Sequence, residues 1–379
     1  MKMETKAVHA GAGTDPATGA IAIPIYLSTT FEHGPASEEI HGYTYIRDKN
    51  PTQDRLEQAM SELEGGDNAL VFSSGMGAAT ALLQHLEPGS HVIFPADVYV
   101  HVRVAQLEFL PKWGIEASVA DMRSVDALER AVRPNTKLIW LETPSNPLMD
   151  VTDIAAVSAV ARESGALVAV DNTFATPVLQ RPFEWGADVV LHSTTKFCGG
   201  HSDVQGGCLV FKKRGDLYEK ILNVRTVLGA VGSPFNSWLV LRGLRTLACR
   251  MERHSANAMV IARVLTQSRK IEKVFYPGLP SHPGHDIAAR QMSVYGGMLS
   301  LLVKGGWDEA VGMASRVKLF RNATSLGGVE SLIEHRASAE GVSSAVPKNL
   351  LRLSIGLEHP DDLAADLLQA LGDGAQQRV

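Results

Sequence analysis

The sequence predicts an α/β protein with a mostly parallel sheet covered by helices on both faces, followed by a smaller α+β domain. Three observations indicate this: strand segments without polar alternation, helical segments between them, and a change of pattern near residue 237. Strands that are apolar throughout are typical of parallel sheets buried on both faces. We predict an N-terminal arm over residues 1–50, a large domain over 51–240 and a C-terminal domain over 241–379.

The bulk composition excludes several classes of protein. A chain of 379 residues suits two domains, and 45% hydrophobic with 20% charged residues is ordinary for a globular protein. The net charge of −5 argues against electrostatic binding to nucleic acid or membranes, and no apolar run approaches the roughly 20 residues that span a bilayer. The N-terminus has no apolar signal segment, and the three cysteines fit neither a disulfide framework nor a CxxC metal site. A cytoplasmic protein acting on small molecules is therefore expected.

The arm is irregular, with much Gly, Pro and Thr and little helical or strand period. A long irregular segment in a compact protein is usually functional or packs on a partner subunit. A disordered tail is the alternative, but apolar residues such as Ile23, Tyr26 and Phe31 make the arm too hydrophobic for that.

Regular structure is predicted from Pro51 onward. "PTQDRLEQAMSELEG" places Leu56, Met60 and Leu63 on one helical face and stops at a glycine. "VTDIAAVSAVARESG" predicts a second helix with Thr152 as N-cap. The predicted strands of the large domain are "NALVF", "HVIFP", "TKLIWLE", "ALVAVD" and "ADVVLHS". The C-terminal domain is predicted to contain one long helix, "WLVLRGLRTLACRMERHSANAMVIARVL", two strands, "GGMLSLLV" and "NLLRLSIG", and the helix "DDLAADLLQAL".

Two predicted strand ends are followed by turns that suit ligand binding. After "NALVF" the chain reads "SSGMG" (Ser73–Gly77) at a helix start, where backbone N–H groups form an anion site that usually takes phosphate. After "TKLIWLE" comes "TPSNP", whose Asn146 could bond a ligand or its own backbone. Taken alone, either turn could be purely structural.

Two further strand ends carry a charge. "ALVAVD" closes on Asp171, which costs desolvation free energy unless it meets a cation or a donor. It could cap the next helix or balance a protonated ring nitrogen. "VVLHSTTKFCGG" places Lys196 beside the hydroxyls of Ser193 and Thr195. Although most single lysines are solvated, burial next to a sheet would lower the pKa of this amine and make it nucleophilic.

Together the four strand ends predict a specific site. Ligands of parallel sheets bind beyond the carboxyl ends of the strands, so these groups are expected in one crevice. A phosphorylated pyridine aldehyde held as a Schiff base needs an amine, a counter-charge for its ring nitrogen and a phosphate turn. The sequence therefore predicts pyridoxal 5'-phosphate as cofactor.

Over almost its whole length the chain resembles the pyridoxal-phosphate (PLP) enzymes of cysteine and methionine metabolism. These include cystathionine γ-synthase, cystathionine γ-lyase, cystathionine β-lyase and methionine γ-lyase. The resemblance is carried by ordered blocks such as "YTYIRDKNPT", "SSGMGAATALL", "LETPSNPLMDVTDI", "VDNTFATPVLQRPFEWGADVVLHSTTKFCGGHSDVQGG" and "SLGGVESLIEHRAS". It implies fold type I of these enzymes, the PLP-dependent transferase fold, and usually a homotetramer built from pairs of active dimers.

The resemblance also implies roles for residues that would bind the cofactor. Lys196 matches the Schiff-base lysine, Asp171 the partner of the pyridine nitrogen, and Tyr99 the tyrosine that stacks on the ring. Lys196 and Tyr99 are the expected catalytic residues. The residues that match phosphate contacts are Gly75, Met76, Ser193 and Thr195.

Other matched residues concern the neighbouring subunit and the substrate. Tyr45 and Arg47 match a pair that reaches the phosphate of the neighbouring subunit, which gives the arm a function and predicts a dimer. Asn146, Ser325 and Arg352 match groups that hold the substrate carboxylate and the ring hydroxyl. Arg352 suits this role because its planar fork pairs bidentately with a carboxylate.

The sequence departs from the family pattern in places that concern substrate choice. Tyr99 is followed by Val100 and His101 where Gly-Gly or Gly-Cys is common, and the segment around Arg336 is shorter than usual, with arginine in place of a common proline. Glu330 in "GGVES" matches an acidic residue that some cystathionine-handling members use for the distal ammonium of the substrate, although it could be a surface carboxylate.

We expect γ-replacement or γ-elimination on homoserine-derived or sulfur amino acids. Cystathionine γ-synthase, which joins O-acylhomoserine to cysteine, is preferred. The alternatives are cystathionine γ-lyase or a divergent member that forms C–C bonds from a vinylglycine intermediate. A remote alternative is a metal hydrolase that uses His282, His285 and Asp286 of "SHPGHD"; no metal site is otherwise expected.

Overall fold

The computed structural model describes residues 1–341 and 346–372 and has two sheets, as predicted. The strands of the large sheet are β1 (Asn68–Phe72), β2 (His91–Pro95), β3 (Glu116–Ala120), β4 (Thr136–Glu142), β5 (Leu167–Asp171), β6 (Val189–His192) and β7 (Gly207–Phe211). Their order is β1-β7-β6-β5-β4-β2-β3. The run from β6 to β3 is parallel, whereas β7 is antiparallel to both of its neighbours.

Helices cover both faces of this sheet. Those in and around the large sheet are α1 (Met3–His9), α2 (Pro51–Glu64), α3 (Gly75–Gln84), α4 (Val100–Val104), α5 (Val125–Ala131), α6 (Ile154–Ser164), α7 (Thr176–Leu179), α8 (Asp216–Leu228) and α9 (Pro234–Leu244). In β4, Ile139 and Leu141 join one core cluster while Leu138 and Trp140 join the cluster on the opposite face. Burial on both faces explains why these strands lack polar alternation.

The second sheet has five strands in the order β10-β11-β12-β9-β8. Its strands are β8 (Ile271–Phe275), β9 (Met298–Val303), β10 (Arg321–Asn322), β11 (Leu332–His335) and β12 (Leu350–Ser354). The accompanying helices are α10 (Leu247–Gln267), α11 (His285–Gln291), α12 (Trp307–Arg316), α13 (Arg336–Glu340) and α14 (Pro360–Leu371). The α10 and α14 helices pack on this sheet around a core that includes Ile261, Leu353 and Leu367.

Two local predictions were wrong. The N-cap of α6 is Asp153 rather than Thr152, because the Asp153 carboxylate accepts a hydrogen bond from the Ala156 N–H. The long helix predicted after residue 237 is two helices, since the chain breaks between α9 and α10 at Thr246, which has ψ near 6°. The break leaves the Gly243 carbonyl available to accept a hydrogen bond from Arg250 at 2.8 Å. In a continuous helix, a backbone N–H of the next turn would occupy this carbonyl.

The arm bonds to its own chain at several points: the Trp238 indole donates to the Ile23 carbonyl at 3.1 Å, and the Tyr43 hydroxyl donates to Asp54 at 2.9 Å. Tyr26, Leu27 and Tyr45 are exposed although they are apolar or aromatic. The boundaries at residues 50 and 240 remain predictions, and residues 342–345 and 373–379 of the predicted C-terminal domain lie outside the described part. Among the described residues, no helix is both long enough and apolar enough to span a bilayer.

Candidate active site

A cavity of ≈ 390 Å³ lies at the carboxyl ends of β4, β5 and β6. It brings together most of the predicted site residues, although they come from distant parts of the sequence. The predicted residues that line it are Gly75, Met76, Tyr99, Asn146, Asp171, Ser193, Thr195, Lys196, Ser325 and Arg352. Three predicted residues, Tyr45, Arg47 and Glu330, are not among those that line it.

The glycine-rich turn at the start of α3 is shaped by close backbone approach. Ser74 caps the helix by accepting a hydrogen bond from the Gly77 N–H at 2.9 Å. A Cβ at Gly75 would lie 2.8 Å from the Ser193 Cβ, and one at Gly207 would lie 2.1 Å from the Ser74 carbonyl oxygen. These close approaches explain why glycine occupies both positions, and they bring the start of α3 next to Ser193 and Thr195 at the cavity wall, where a helix N-terminus suits a phosphate.

Lys196 lies in the loop after β6 and is largely buried. Its Nζ donates to the Ser325 Oγ at 2.8 Å. Burial, assisted by the positive charge of Arg352, lowers the pKa of Lys196 to about 8. Arg250 stabilises this loop, because its Nη1 donates a hydrogen bond to the Phe197 carbonyl at 2.7 Å. Lys196 is therefore an amine with a substantial uncharged fraction near neutral pH.

Two carboxyl groups end neighbouring strands at this edge. Asp171 at the end of β5 is paired in register with Glu142 at the end of β4. Burial raises the pKa of both groups, and repulsion by Asp171 raises the pKa of Glu142 well above its usual range. Glu142 therefore keeps its proton more readily, which leaves Asp171 as the carboxylate. Asp171 accepts a hydrogen bond from the Thr173 N–H at 3.0 Å.

Arg352 on β12 is buried in a polar network. Its Nη1 donates to the Asn146 Oδ1 at 3.0 Å, and its Nη2 donates to the Ser325 carbonyl at 3.1 Å and to Glu334 at 2.6 Å. Burial and the nearby charge of Arg336 lower the pKa of Arg352 to about 10, still well above neutrality. A fixed, charged guanidinium at the cavity wall suits recognition of a carboxylate.

Tyr99 occupies the N-cap position of the short helix α4, and its side chain lines the same cavity. The Tyr99 N–H donates to Glu142 at 2.8 Å, so the second carboxyl group fixes the backbone from which this ring projects. Burial raises the pKa of Tyr99, which keeps the phenol protonated at neutral pH. The Tyr99 hydroxyl lies 2.8 Å from the Nδ1 of His101.

Several residues stand apart from the cavity. Tyr45 and Arg47 are exposed, with the Arg47 guanidinium 5.5 Å from the centroid of the Tyr45 ring. Glu330 accepts a hydrogen bond from Ser202. Their predicted roles, in the neighbouring subunit and in substrate choice, remain predictions.

The metal-site alternative has no support among the described residues. No group of three His, Cys, Asp or Glu side chains in the described ranges could hold a metal ion. The imidazoles of His282 and His285 bond instead to the carbonyls of Met149 and Pro277, at 2.9 and 2.8 Å.

Glu142 and Glu334 belong to the site, but the sequence analysis did not identify them. Glu142 could have been predicted as a site residue, since it ends an apolar strand in the same way as Asp171. Glu334 had none, because its contact with Arg352 depends on the antiparallel register of β11 and β12, which pairs these two residues.

The cavity fits the predicted cofactor on three counts. The glycine turn at Gly75 lines the cavity beside the Ser193 and Thr195 hydroxyls, Lys196 supplies an amine of lowered pKa, and Asp171 supplies a carboxylate at a strand end. These are the groups that bind the phosphate, the aldehyde carbon and the ring nitrogen of pyridoxal 5'-phosphate.

Comparison with known proteins gives consistent matches. The model of the family described as Cys/Met metabolism PLP-dependent enzyme matches residues 4–372. Cystathionine gamma-synthase of Mycobacterium bovis is 46% identical over 97% of this chain and 96% of its own, and cystathionine beta-lyase of Coxiella burnetii is 42% identical over 97% of both. The crystal structure of cystathionine gamma synthase from Xanthomonas oryzae pv. oryzae in complex with aminoacrylate and cysteine superposes with a TM-score of 0.94 at 40% identity, covering 99% of this chain and 98% of that one.

Proposed function

Because the chain belongs to the family of PLP-dependent enzymes of Cys/Met metabolism, we propose that it catalyses γ-replacement on an O-acylhomoserine, with cysteine as the incoming thiol. The observation that carries the proposal is the convergence of Lys196, Asp171 and Arg352 on one cavity. An enzyme that uses this cofactor on an amino acid needs an amine, a partner for the ring nitrogen and a guanidinium that binds the substrate carboxylate. Relatives named cystathionine gamma-synthase support the choice of reaction within the family.

Residues of this chain would hold the cofactor as follows. The turn at Gly75 and Met76, with the hydroxyls of Ser193 and Thr195, would hold the phosphate, and Asp171 would hold the protonated ring nitrogen. Pyridoxal 5'-phosphate, when bound, stores the electron pair that is left when a proton departs from the substrate Cα.

Lys196 and Arg352 would act on the substrate. Arg352, oriented by Asn146 and Glu334, would bind the α-carboxylate in its planar fork. The Lys196 amine, with a pKa of about 8, would remove the proton from Cα and deliver it to a neighbouring carbon. Tyr99 remains a protonated phenol at neutral pH and would donate a proton to the leaving group.

The arm gives the proposed enzyme a dimeric site. The lysine and arginine side chains that line the cavity are Lys196, Arg336 and Arg352, and none of them belongs to the turn that would hold the phosphate. A phosphate of about −2 charge calls for a further cation. Arg47 is exposed on an irregular arm and would supply this charge to the neighbouring subunit, with Tyr45 next to it, so that the smallest active form is a dimer.

Product analysis tests the reaction. The holoenzyme is incubated with O-acetyl- or O-succinylhomoserine plus cysteine, and separately with cystathionine alone. We expect cystathionine and the free carboxylic acid from the first mixture. Cleavage of cystathionine without synthesis would favour the lyase activities for which several relatives are named, and inertness toward all of these substrates would refute the proposal.

Two measurements separate the cofactor assignment from the choice of substrate. The purified protein should be yellow, and borohydride should fix the cofactor on Lys196, as located by peptide mass spectrometry. A Lys196→Ala variant is the matched control and should take no label. Labelling at another lysine would overturn the assignment of Lys196 whatever the substrate is.

Mixing two inactive variants tests the shared site. Lys196→Ala retains Arg47, and Arg47→Gln retains Lys196, so a hybrid dimer regenerates one native site only if the two residues come from different subunits. We expect activity to appear after the variants are unfolded and refolded together but not separately. Absence of recovery, with hybrids verified by mass, would place the pair within one subunit.

A further inference from the structure

His101 and Tyr99 form a hydrogen-bonded pair at the cavity wall. The two residues occupy the N-cap and the second position of α4, which places both side chains on the first turn. The Nδ1 of His101 lies 2.8 Å from the Tyr99 hydroxyl, and the ring centroids are 5.2 Å apart at an interplanar angle of 60°. Both rings line the cavity that contains Lys196.

His101 is exposed, whereas Tyr99 lies within a ring of charged groups. The elements around it contribute Glu142 from β4, Lys196 after β6, Glu334 from β11, Arg336 from α13 and Arg352 from β12, while α4 itself carries Arg103. Four of these groups act on the Tyr99 phenol, with the arginines lowering its pKa and the carboxylates raising it. Burial outweighs the arginines, so the phenol keeps its proton and can act as an acid.

The protonation state of the imidazole decides which way the Tyr99 hydroxyl points. A neutral imidazole with a free Nδ1 accepts the phenol proton, and the hydroxyl is then committed to His101. A protonated imidazole donates from Nδ1 to the phenol oxygen, which frees the phenol O–H to donate into the cavity. Imidazole is the side chain that switches between these states near neutral pH.

We propose that His101 is a positioning residue that acts through Tyr99 and directs its hydroxyl proton toward the γ-leaving group of the substrate. In the step itself, the Cγ–O bond breaks and its electron pair goes to the departing oxygen. That oxygen takes the Tyr99 proton, and the Nδ1 proton of His101 replaces the proton on the phenol oxygen. The inference rests on the proposed function for the identity of the leaving group.

The pH dependence of kcat/KM tests the role in catalysis. In the wild-type protein, γ-elimination from O-succinylhomoserine should decline with rising pH, because a deprotonated His101 accepts the Tyr99 proton and withdraws it from the cavity. His101→Gln retains a polar side chain but cannot titrate, so this decline should disappear and kcat below pH 7 should fall about tenfold. The fall should be smaller than the 10²–10⁴-fold typical of a lost general acid, because Tyr99 remains. Tyr99→Phe should show the larger loss.

His359→Gln is the matched control, because that imidazole is exposed and does not line the cavity. Its pH profile should match the wild type. A purely structural role of His101 predicts the same fractional loss at every pH, and a profile that keeps its decline in His101→Gln would overturn the proposal.

NMR of ¹³C-histidine-labelled protein, without substrate, gives a readout that does not depend on turnover. The His101 signal is assigned by its loss in His101→Gln. Because the His101 ring is hydrogen-bonded to the Tyr99 hydroxyl, Tyr99→Phe should shift the His101 ring signals at a fixed pH. Unmoved signals would refute the coupling even if the enzyme is active, whereas shifted signals in a protein inactive toward homoserine esters would support the pair and refute only the proposed function.

Discussion

The lowered pKa of Lys196 makes a quantitative prediction about cofactor capture. The pKa of an ordinary lysine side chain is 10.5, whereas burial and the charge of Arg352 bring Lys196 to about 8. At 1.36 kcal/mol per pH unit, this difference is about 3 kcal/mol, so that Lys196 has a few hundred times more free amine at pH 7 than an exposed lysine has. The rate at which the ligand-free protein captures pyridoxal 5'-phosphate should therefore rise with pH and level off above about 8.

Stopped-flow absorbance of the imine band measures this rate, with Nα-acetyllysine in solution correcting for titration of the cofactor itself. Arg352→Gln removes one of the two effects that lower the pKa of Lys196, so its midpoint should lie at higher pH than that of the wild type. The control, Arg263→Gln, alters an exposed arginine of α10 and should leave the midpoint unchanged. A wild-type midpoint near 10 would refute the burial on which this reasoning depends.

The same amine affects stability with a definite sign. Its folded pKa lies below its unfolded pKa, so between pH 8 and 10.5 the unfolded chain binds more protons than the folded protein. The stability contribution of Lys196 therefore rises with pH across this window and is least favourable below it. Lys196→Met in the ligand-free protein should raise the free energy of unfolding at pH 7 by up to about 3 kcal/mol. A gain that does not shrink as pH rises toward 10 would contradict the assignment.

Two further predictions concern packing and charge. Gly207→Ala should lower the free energy of unfolding by about 1–3 kcal/mol and weaken cofactor binding, because its Cβ would lie 2.1 Å from the Ser74 carbonyl oxygen. The control is Gly215→Ala, whose Cβ would meet nothing within 4 Å. Equal urea midpoints for the two variants would contradict the prediction. Glu334→Gln should cost about 3–5 kcal/mol in urea denaturation and raise KM for the amino-acid substrate, because it leaves the buried Arg352 without its ion-pair partner. An unchanged KM would show that Glu334 does not orient Arg352.

The parts of the fold that could be predicted are those whose signal is local. Apolar strands such as β4 and the glycine stop of α2 follow from periodicity and backbone conformation, and the strand-end rule brought Asp171 and Lys196 together. Short strands with mixed composition, such as β8 with its exposed Glu272 and Lys273, gave no usable period.

The remaining features depend on contacts between distant segments. The break between α9 and α10 is stabilised by Arg250, whose partners lie in other elements of the chain. The buried position of Glu334 follows from strand register. The arm was recognisable as unusual from its composition, but its bond from Trp238 to the Ile23 carbonyl joins segments that are 215 residues apart.

The α10 helix bonds to both halves of the site. Arg250 holds the loop of Lys196 through the Phe197 carbonyl, and His254, one turn later, bonds to the Ile355 carbonyl at 2.6 Å just beyond the strand that carries Arg352. The two anchor residues are thus four residues apart on one helix, which is about 6 Å along its axis. Inserting or deleting one residue between these positions would rotate one anchor by about 100° around the helix, so this stretch should tolerate substitution far better than any change in length.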